Sequence, residues 1–250
     1  EDTISPIVNC QDITVYLDGS GNASITPSDV DQGSSDNCSF TLSLSDSAFT
    51  CIDIFGPNTV TLYMTDAGGN IDSCTSTVTV VDTIAPTAIC KDTIVYLDAL
   101  NSAIIFPYDV NNGSFDNCNS VTINTNAIFF GCAEVGDNDI LMIATDLSGN
   151  ADSCISTVTI VDSISPTVIC QNVTVYLDAS GNATIDSSDV DNGSSDNCTS
   201  VTMSLSDSSF TCANAGPNTV TLTVTDGNGN SSTCTSTVTV EDTISPIVNC

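Results

Sequence analysis

Residues Glu1-Asp-Thr-Ile-Ser-Pro-Ile-Val-Asn-Cys10 return as Val81-Asp-Thr-Ile-Ala-Pro-Thr-Ala-Ile-Cys90 and as Val161-Asp-Ser-Ile-Ser-Pro-Thr-Val-Ile-Cys170. They appear once more, unchanged in all ten residues, at Glu241–Cys250. A fixed period of 80 residues marks a tandem array, in which each unit is one folding block. Three units are complete, residues 1–81, 82–161 and 162–241, and residues 242–250 begin a fourth. The identity of the first and fourth openings predicts a super-repeat within a longer chain, and a start at Glu1 rather than Met agrees with a processed or excised segment.

Inside each unit the apolar residues recur at every second position, which predicts strands. Ile13, Val15 and Leu17 alternate with Thr14, Tyr16 and Asp18, and Val60, Leu62 and Met64 alternate with Thr61 and Tyr63. Val78 and Val80 alternate with Thr77 and Thr79 near the unit's end. Turn residues punctuate the runs: Gly19-Ser-Gly-Asn22, Gly56-Pro-Asn58 and Ala67-Gly-Gly-Asn70. No ten-residue stretch carries a helical stripe. About seven short strands per unit, with strands at both ends, predict an all-β chain of tandem immunoglobulin-like β-sandwiches. Linkers of about three residues, such as Thr83-Ile84-Ala85, precede Pro6, Pro86, Pro166 and Pro246 and should limit bending between neighbours.

The chain has 31 acidic residues against one Lys or Arg, no His and no Trp, for a formal net charge of −30. That balance excludes nucleic acid and anionic membrane as partners, since both require clustered bases. It also makes the compact chain repel itself, so bound cations are expected. With 40% hydrophobic residues in alternating runs, a packed core is nevertheless within reach. Thirteen cysteines without a zinc-type spacing point to disulfides and an extracellular setting, secreted or at a cell surface.

Each unit carries four cysteines, and Cys250 is left over. Joining Cys74 to Cys90 is out of reach, because the strand after Cys74 runs roughly 26 Å and a disulfide spans about 5.5 Å between Cα atoms. If the first and last strands pair in parallel, Cys10 and Cys74 meet at one end. The expected bonds are therefore Cys10–Cys74, Cys90–Cys154 and Cys170–Cys234, together with Cys38–Cys51, Cys118–Cys132 and Cys198–Cys212 inside the units. Cys250 would take a partner beyond this sequence.

Acidic motifs recur with the same period. The linker supplies Asp2, Asp82, Asp162 and Asp242; the loop before the second cysteine supplies Asp36, Asp116 and Asp196. The last hairpin supplies Asp66, Asp146 and Asp226 with Asn70, Asn150 and Asn230. In a sandwich these segments share one pole, where the chain arrives from the preceding unit. Asp and Asn in turns also serve the backbone through Asx hydrogen bonds. Their convergence in every unit of so acidic a chain favours Ca2+, which takes six to eight oxygens in tolerant geometry. No sequential EF-hand loop is present.

The ordered set Asp2-Thr3…Pro6…Cys10, Ser35-Asp36-Asn37-Cys38, Thr65-Asp66…Gly69-Asn70 and Cys74…Val78…Val80 resembles the hyalin repeat (HYR) family of bacterial surface and giant tandem-repeat proteins. The resemblance covers all three units. It implies an immunoglobulin-like fold, an extracellular place and roles in adhesion or assembly, as in calcium-binding fibrils. Many such units carry a cysteine in the second strand, whereas here the extra one is Cys51, Cys132 or Cys212.

No catalytic constellation stands out: with no His, and Gln11 and Gln171 at the positions matching Lys91, the chain reads as a non-enzyme. The leading expectation is a structural module of an extracellular filament, calcium-rigidified and associating sideways with like chains. Tyr16, Tyr96 and Tyr176, one per unit at the same strand position, are candidates for that lateral contact, with local packing as the alternative reading. A stalk of a cell-surface adhesin is the second expectation, and accessory modules of a secreted hydrolase the third. Asp-Thr-Ile and Asp-Ser-Ile resemble a bacterial O-glycosylation signal, which makes Thr3, Thr83, Ser163 and Thr243 candidate sugar sites.

Overall fold

The alternation fixes which side of each strand is buried. In the computed structural model, which describes residues 2–245, the first repeat contains β1 (Ile13–Tyr16), β2 (Asn22–Ser24), a one-turn helix α1 (Pro27–Val30), β3 (Phe40–Leu44), β4 (Ala48–Thr50), β5 (Asn58–Asp66) and β6 (Ile71–Val81). A 3-10 turn, Cys51–Phe55, lies between β4 and β5. Strand β1 runs parallel to β6, with Ile13 opposite Val78 and Val15 opposite Val80. Strands β6, β5 and β3 continue the sheet antiparallel in the order β1-β6-β5-β3. A second, two-stranded sheet pairs β2 with β4. The periodicity predicts about seven strands, and six form per repeat. The segment before Cys38 is held by isolated bridges, Ile7 to Ser35 and Cys10 to Asp31, with Gly33 in the left-handed region between them.

The second repeat contains β7 (Thr93–Tyr96), β8 (Ser102–Ile104), α2 (Pro107–Val110), β9 (Val121–Thr125), β10 (Phe129–Gly131), β11 (Gly136–Asp146) and β12 (Ala151–Val161). The third contains β13 (Val173–Tyr176), β14 (Asn182–Thr184), α3 (Ser187–Val190), β15 (Thr202–Leu205), β16 (Ser209–Thr211), β17 (Gly216–Thr225) and β18 (Ser231–Glu241). Its sheets have the orders β13-β18-β17-β15 and β14-β16. No described helix is long and apolar enough to cross a membrane.

Contacts divide the chain into two compact units. One holds the first repeat through Lys91 with residues 106–127 and 140–156, the other holds residues 92–105, 128–139 and the described residues from 157 onward. In the first unit the core is Leu17, Ile25, Val30, Phe49, Val60, Leu62, Val78 and Val80, with Cys118 packed against it. In the second, Leu177, Ile185, Val190, Phe210, Val220, Leu222, Val224, Val238 and Val240 form the equivalent cluster. Burying such a Val or Leu contributes roughly 1.5–3 kcal/mol each. Ser76, although 1% exposed, is satisfied because its hydroxyl donates to the Gln11 carbonyl at 2.6 Å. Ser156 and Ser236 repeat that bond to the carbonyls of Lys91 and Gln171, so this bond is made by the peptide whichever side chain stands there.

Cys10–Cys74, Cys90–Cys154 and Cys170–Cys234 are bonded, with Cα atoms 5.8, 5.9 and 6.0 Å apart. The other expected bonds, Cys38–Cys51, Cys118–Cys132 and Cys198–Cys212, do not form. Cys51 joins Cys118 and Cys132 joins Cys198, each a bridge from one repeat to the next. The reason is the length of the sandwich. Cys38 lies beside linker residue Asp2 and hairpin residue Asp66 at the upstream pole. Cys51 lies beside Gly21 at the pole where β6 leaves, and there the Leu17 amide donates to the Val81 carbonyl. A strand the length of β6, 11 residues, spans about 35 Å between such poles. Among the described residues Cys38 and Cys212 have no disulfide partner, and Cys250 lies outside them.

Candidate junction site

The strand period that builds the core also carries acids into it. Val60, Leu62 and Met64 on β5 are followed two residues on by Asp66, which is 6% exposed. Ser76, Val78 and Val80 on β6 are followed by Asp82, which is 4% exposed. Asp146, Asp162 and Asp226 are buried at the corresponding places, at 8%, 4% and 5%. These carboxylates sit on the inward side of the strand at a sandwich pole.

At the first junction Asp82 Oδ1 accepts from the Ile84 amide at 3.1 Å and from Asn117 Nδ2 at 3.2 Å, while its Oδ2 has no donor. Asp116, 7% exposed, accepts the Cys118 amide at Oδ2 over 2.8 Å, and its Oδ1 has no donor. Asn117 Oδ1 is a third buried oxygen without a partner. The ligand atoms of Asp82, Asp116 and Cys118 fall within 4.8 Å of one another, but Cys118 is consumed by its bond to Cys51, so the two carboxylates are the charged donors.

The second junction brings Asp162, Asp196 and Asp226 within the same 4.8 Å, a trio drawn from linker, loop and hairpin. Asp196 Oδ1 has no donor. Burial pushes the Asp196 carboxyl up, yet hydrogen bonds from the Cys198, Thr199 and Asn197 amides and the Thr199 hydroxyl together hold it below the ordinary carboxylate range. In the first repeat Asp2 and Asp36 gather with Cys38, and Asp2 Oδ2 has no donor. The Cys38 thiol, then the Ile4 amide, hold the Asp2 carboxyl low against its burial and the charge of Asp66. Asp242 is exposed.

Asn70, Asn150 and Asn230 are placed as clamps by their amide nitrogens. Asn70 Nδ2 donates to Asp66 Oδ2 at 2.8 Å and to the Asp2 carbonyl at 3.1 Å. Asn150 does the same to Asp146 and Asp82, and Asn230 to Asp226 and Asp162. They tie the hairpin to the linker. Asp146 stays outside the tight group of the first junction, as Asp66 does in the first repeat.

A motif at the opposite pole completes each junction. Asp18-Gly-Ser-Gly-Asn22 and Asp178-Ala-Ser-Gly-Asn182 repeat the Asp-x-x-Gly-Asn pattern of the Asp66–Asn70 hairpin, which was the available signal for them. Asp18 Oδ1 accepts the Ser20 and Asn22 amides at 2.8 and 3.0 Å, and Asn117 Nδ2 of the next repeat donates to the Asp18 carbonyl at 3.2 Å. Gly21, at φ +73°, leaves no room for a side chain: a Cβ there would meet Cys51 Sγ at 2.6 Å and the Asn117 carbonyl oxygen at 2.9 Å. The second junction has Asn101 in that place, also left-handed at φ 63°, and its Nδ2 donates to the Asn197 carbonyl at 3.3 Å.

Thr3, Thr83, Ser163 and Thr243 are all exposed. Tyr16, Tyr96 and Tyr176 are 62%, 60% and 59% exposed, the first on edge strand β1 and the last on edge strand β13.

No family model and no curated protein matches the chain. Among solved structures, a mutated three-domain immunoglobulin fragment of titin is similar at 10% identity and a TM-score of 0.47, over 96% of this chain and all (100%) of that one. A three-domain fragment of mouse cadherin-23 is similar at 12% identity and a TM-score of 0.38, covering 95% of this chain and 99% of that one. The protocadherin gamma-B4 extracellular domain is similar at 15% identity and a TM-score of 0.36, over 94% of this chain and 49% of that one.

Proposed function

We propose that the chain is a structural module of an extracellular filament or matrix fibre, built of hyalin-repeat-type sandwiches whose junctions are clamped by Ca2+. The observation that carries this reading is the pair Asp82 and Asp116, buried beside each other with Asp82 Oδ2 and Asp116 Oδ1 lacking any donor. An unpaired buried charge is far costlier than an exposed one, and a hard cation with oxygen ligands removes the cost. Asn117 Oδ1 and, at the second junction, Asp162, Asp196 and Asp226 supply the further oxygens. Disulfides at every repeat support an oxidising, extracellular setting. The exposed tyrosines, one per repeat, are the proposed contact with like chains.

Extracellular calcium modules bind with Kd of about 10⁻⁴–10⁻³ M. At ten times Kd each site would add about 1.4 kcal/mol to stability. Calorimetric titration with Ca2+ and thermal melts with and without a chelator check this. Binding near two ions per chain at the internal junctions, with a rise in Tm, is expected; absence of heat together with an unmoved Tm removes the ion from the account. Electron microscopy of the intact chain and of a Tyr16→Ser, Tyr96→Ser, Tyr176→Ser variant reads the lateral contact, and undiminished bundling by the variant would dismiss the tyrosines.

A further inference from the structure

The three repeats serve as controls for one another. A residue type that the fold needs should recur in every copy, and a departure in one copy calls for another reason. Ile94 stands where the sister repeats have Thr14 and Thr174, Ile104 where they have Ser24 and Thr184, and Phe129 where they have Ala48 and Ser209. These three apolar side chains face outward, at 62%, 46% and 68% exposed. The strands around them pair alike in all three copies: Ile104 lies opposite Phe129, as Ser24 lies opposite Ala48 and Thr184 opposite Ser209. The same pairing forms with small or hydroxylated residues at these places, so folding does not explain the large ones.

Together with Tyr96 they make one strip. Ile94 and Tyr96 stand two residues apart on the exposed face of β7. In the first repeat Tyr16 and Ser24 line a common recess, and the positions equivalent to them are Tyr96 and Ile104. Phe129 is the direct cross-strand neighbour of Ile104. Strands β7, β8 and β10 contain no charged residue. The acids at their ends are tied to backbone: Asp92 accepts the Thr157 amide at 2.8 Å and Glu134 the Gly131 amide at 2.7 Å. Asp98 accepts the Leu100 and Ser102 amides at 2.8 and 3.0 Å. The strip opens on the order of 400 Å² of apolar surface, the scale at which a patch rimmed by polar residues marks an interaction site.

We propose that this strip in the second repeat, Ile94, Tyr96, Ile104 and Phe129, is the face through which a second copy of the chain associates side by side. It rests on the lateral association proposed above and places that contact on one repeat of the three rather than equally on all. Charge selects the occupant. A chain of net charge −30 repels its own kind wherever carboxylates face each other, and across this strip two copies meet with no charged side chain between them. A basic partner, by contrast, finds no ion pair here. Two strips brought together about a two-fold axis are self-complementary. They bury about 800 Å² from these residues, and the Ser and Thr beside them supply the remainder of the roughly 1,000 Å² that a specific interface needs. The contact is apolar at its centre and acidic at its rim, so salt that screens the rim strengthens it.

The test is sedimentation velocity over a concentration series, on the full chain with its free thiols alkylated and chelator present throughout, so that junction ions have no bearing on the result. Dimers are expected, with a Kd that falls as salt rises from about 0.05 to about 0.5 M. Ile94→Thr, Ile104→Ser and Phe129→Ala together install the first repeat's residues, and should raise Kd about tenfold or more with Tm unchanged. Adding Thr14→Ile, Ser24→Ile and Ala48→Phe to that variant rebuilds the strip on the first repeat and should restore dimers. Tyr16→Ser with Tyr176→Ser should leave the parent's dimers intact. Dimers undiminished by the triple substitution, or weakened by salt, would overturn the strip while leaving lateral association standing. Dimers lost in the Tyr16→Ser, Tyr176→Ser variant would return the contact to the evenly spaced tyrosines. Monomers at every concentration would overturn both readings.

Discussion

Asp82 shows how far one residue's place could be inferred from its neighbours. It lies two residues beyond Val80 on a strand whose inward set is Ser76, Val78 and Val80, so the same alternation that predicts the core also buries this carboxylate. Reading Asp and Asn only as turn residues misses this parity, and it is what separates the junction acids from the exposed Asp18 or Asp46. The sequence could not tell ligand from clamp: Asn70, Asn150 and Asn230 have ligand-type side chains, but their amide nitrogens are directed by the hairpin onto the linker carbonyl. Asp82→Asn removes a charge whose Oδ2 has no donor. In chelator it should stabilise the chain by about 1–3 kcal/mol, the cost of a buried unsatisfied group. In Ca2+ it should erase most of the ion-dependent rise in Tm. Thermal melts of both proteins in both buffers would show the curves crossing; an equal loss in the two buffers would make Asp82 a packing residue only.

At the level of elements, parallel pairing of the first and last strands was the condition under which Cys10 and Cys74 meet, and β1 does run parallel to β6 with that bond formed. The one-turn helices did not show in the periodicity, since four residues carry no stripe. Their signal is instead the capping box. In α1 Asp29 Oδ2 accepts the Thr26 amide at 2.6 Å and the Thr26 hydroxyl at 2.8 Å, seating Val30 at 0% exposure. Asp109 and Asp189 accept the Phe106 and Asp186 amides at 2.7 and 2.8 Å in the same way. The Thr26 amide, then its hydroxyl, hold the Asp29 carboxyl below its ordinary value against a smaller effect of burial. A folded-state pKa lower than the unfolded value of about 3.9 gives stability that is present above that pH and lost as pH falls through the folded pKa. Asp29→Ala should therefore lower Tm at neutral pH, and the gap from the parent should close as both are acidified to about pH 2, below the ordinary Asp pKa. Acid also relieves the self-repulsion of the chain, but equally in both proteins. A gap that persists undiminished in acid would show that the carboxylate does not cap the turn.

For the whole molecule the decisive feature was the one that cysteine counting cannot supply. Pairing within repeats orphans Cys250, while pairing across repeats leaves Cys38, Cys212 and Cys250, and both totals are odd. Only the separation of the poles distinguishes them. A covalent tie across each junction also changes what cleavage can do. Lys91 is the sole Lys or Arg, so trypsin has one site, and its amide and carbonyl are held by Val110 and Ser156 in the folded chain. With free thiols blocked and the chain then unfolded in urea, trypsin should cut there. Cys90–Cys154 and Cys51–Cys118 both span that cut, so fragments 1–91 and 92–250 should separate only on reduction. In a Cys90→Ser, Cys154→Ser variant, Cys51–Cys118 alone spans it. Closing that loop, with a sequence separation of 67, is worth about 4 kcal/mol in the chain-entropy account. The cut variant should still migrate as one band without reductant and as two with it. Two bands without reductant would mean that the repeats are tied by their linker alone, with no covalent bond across the junction.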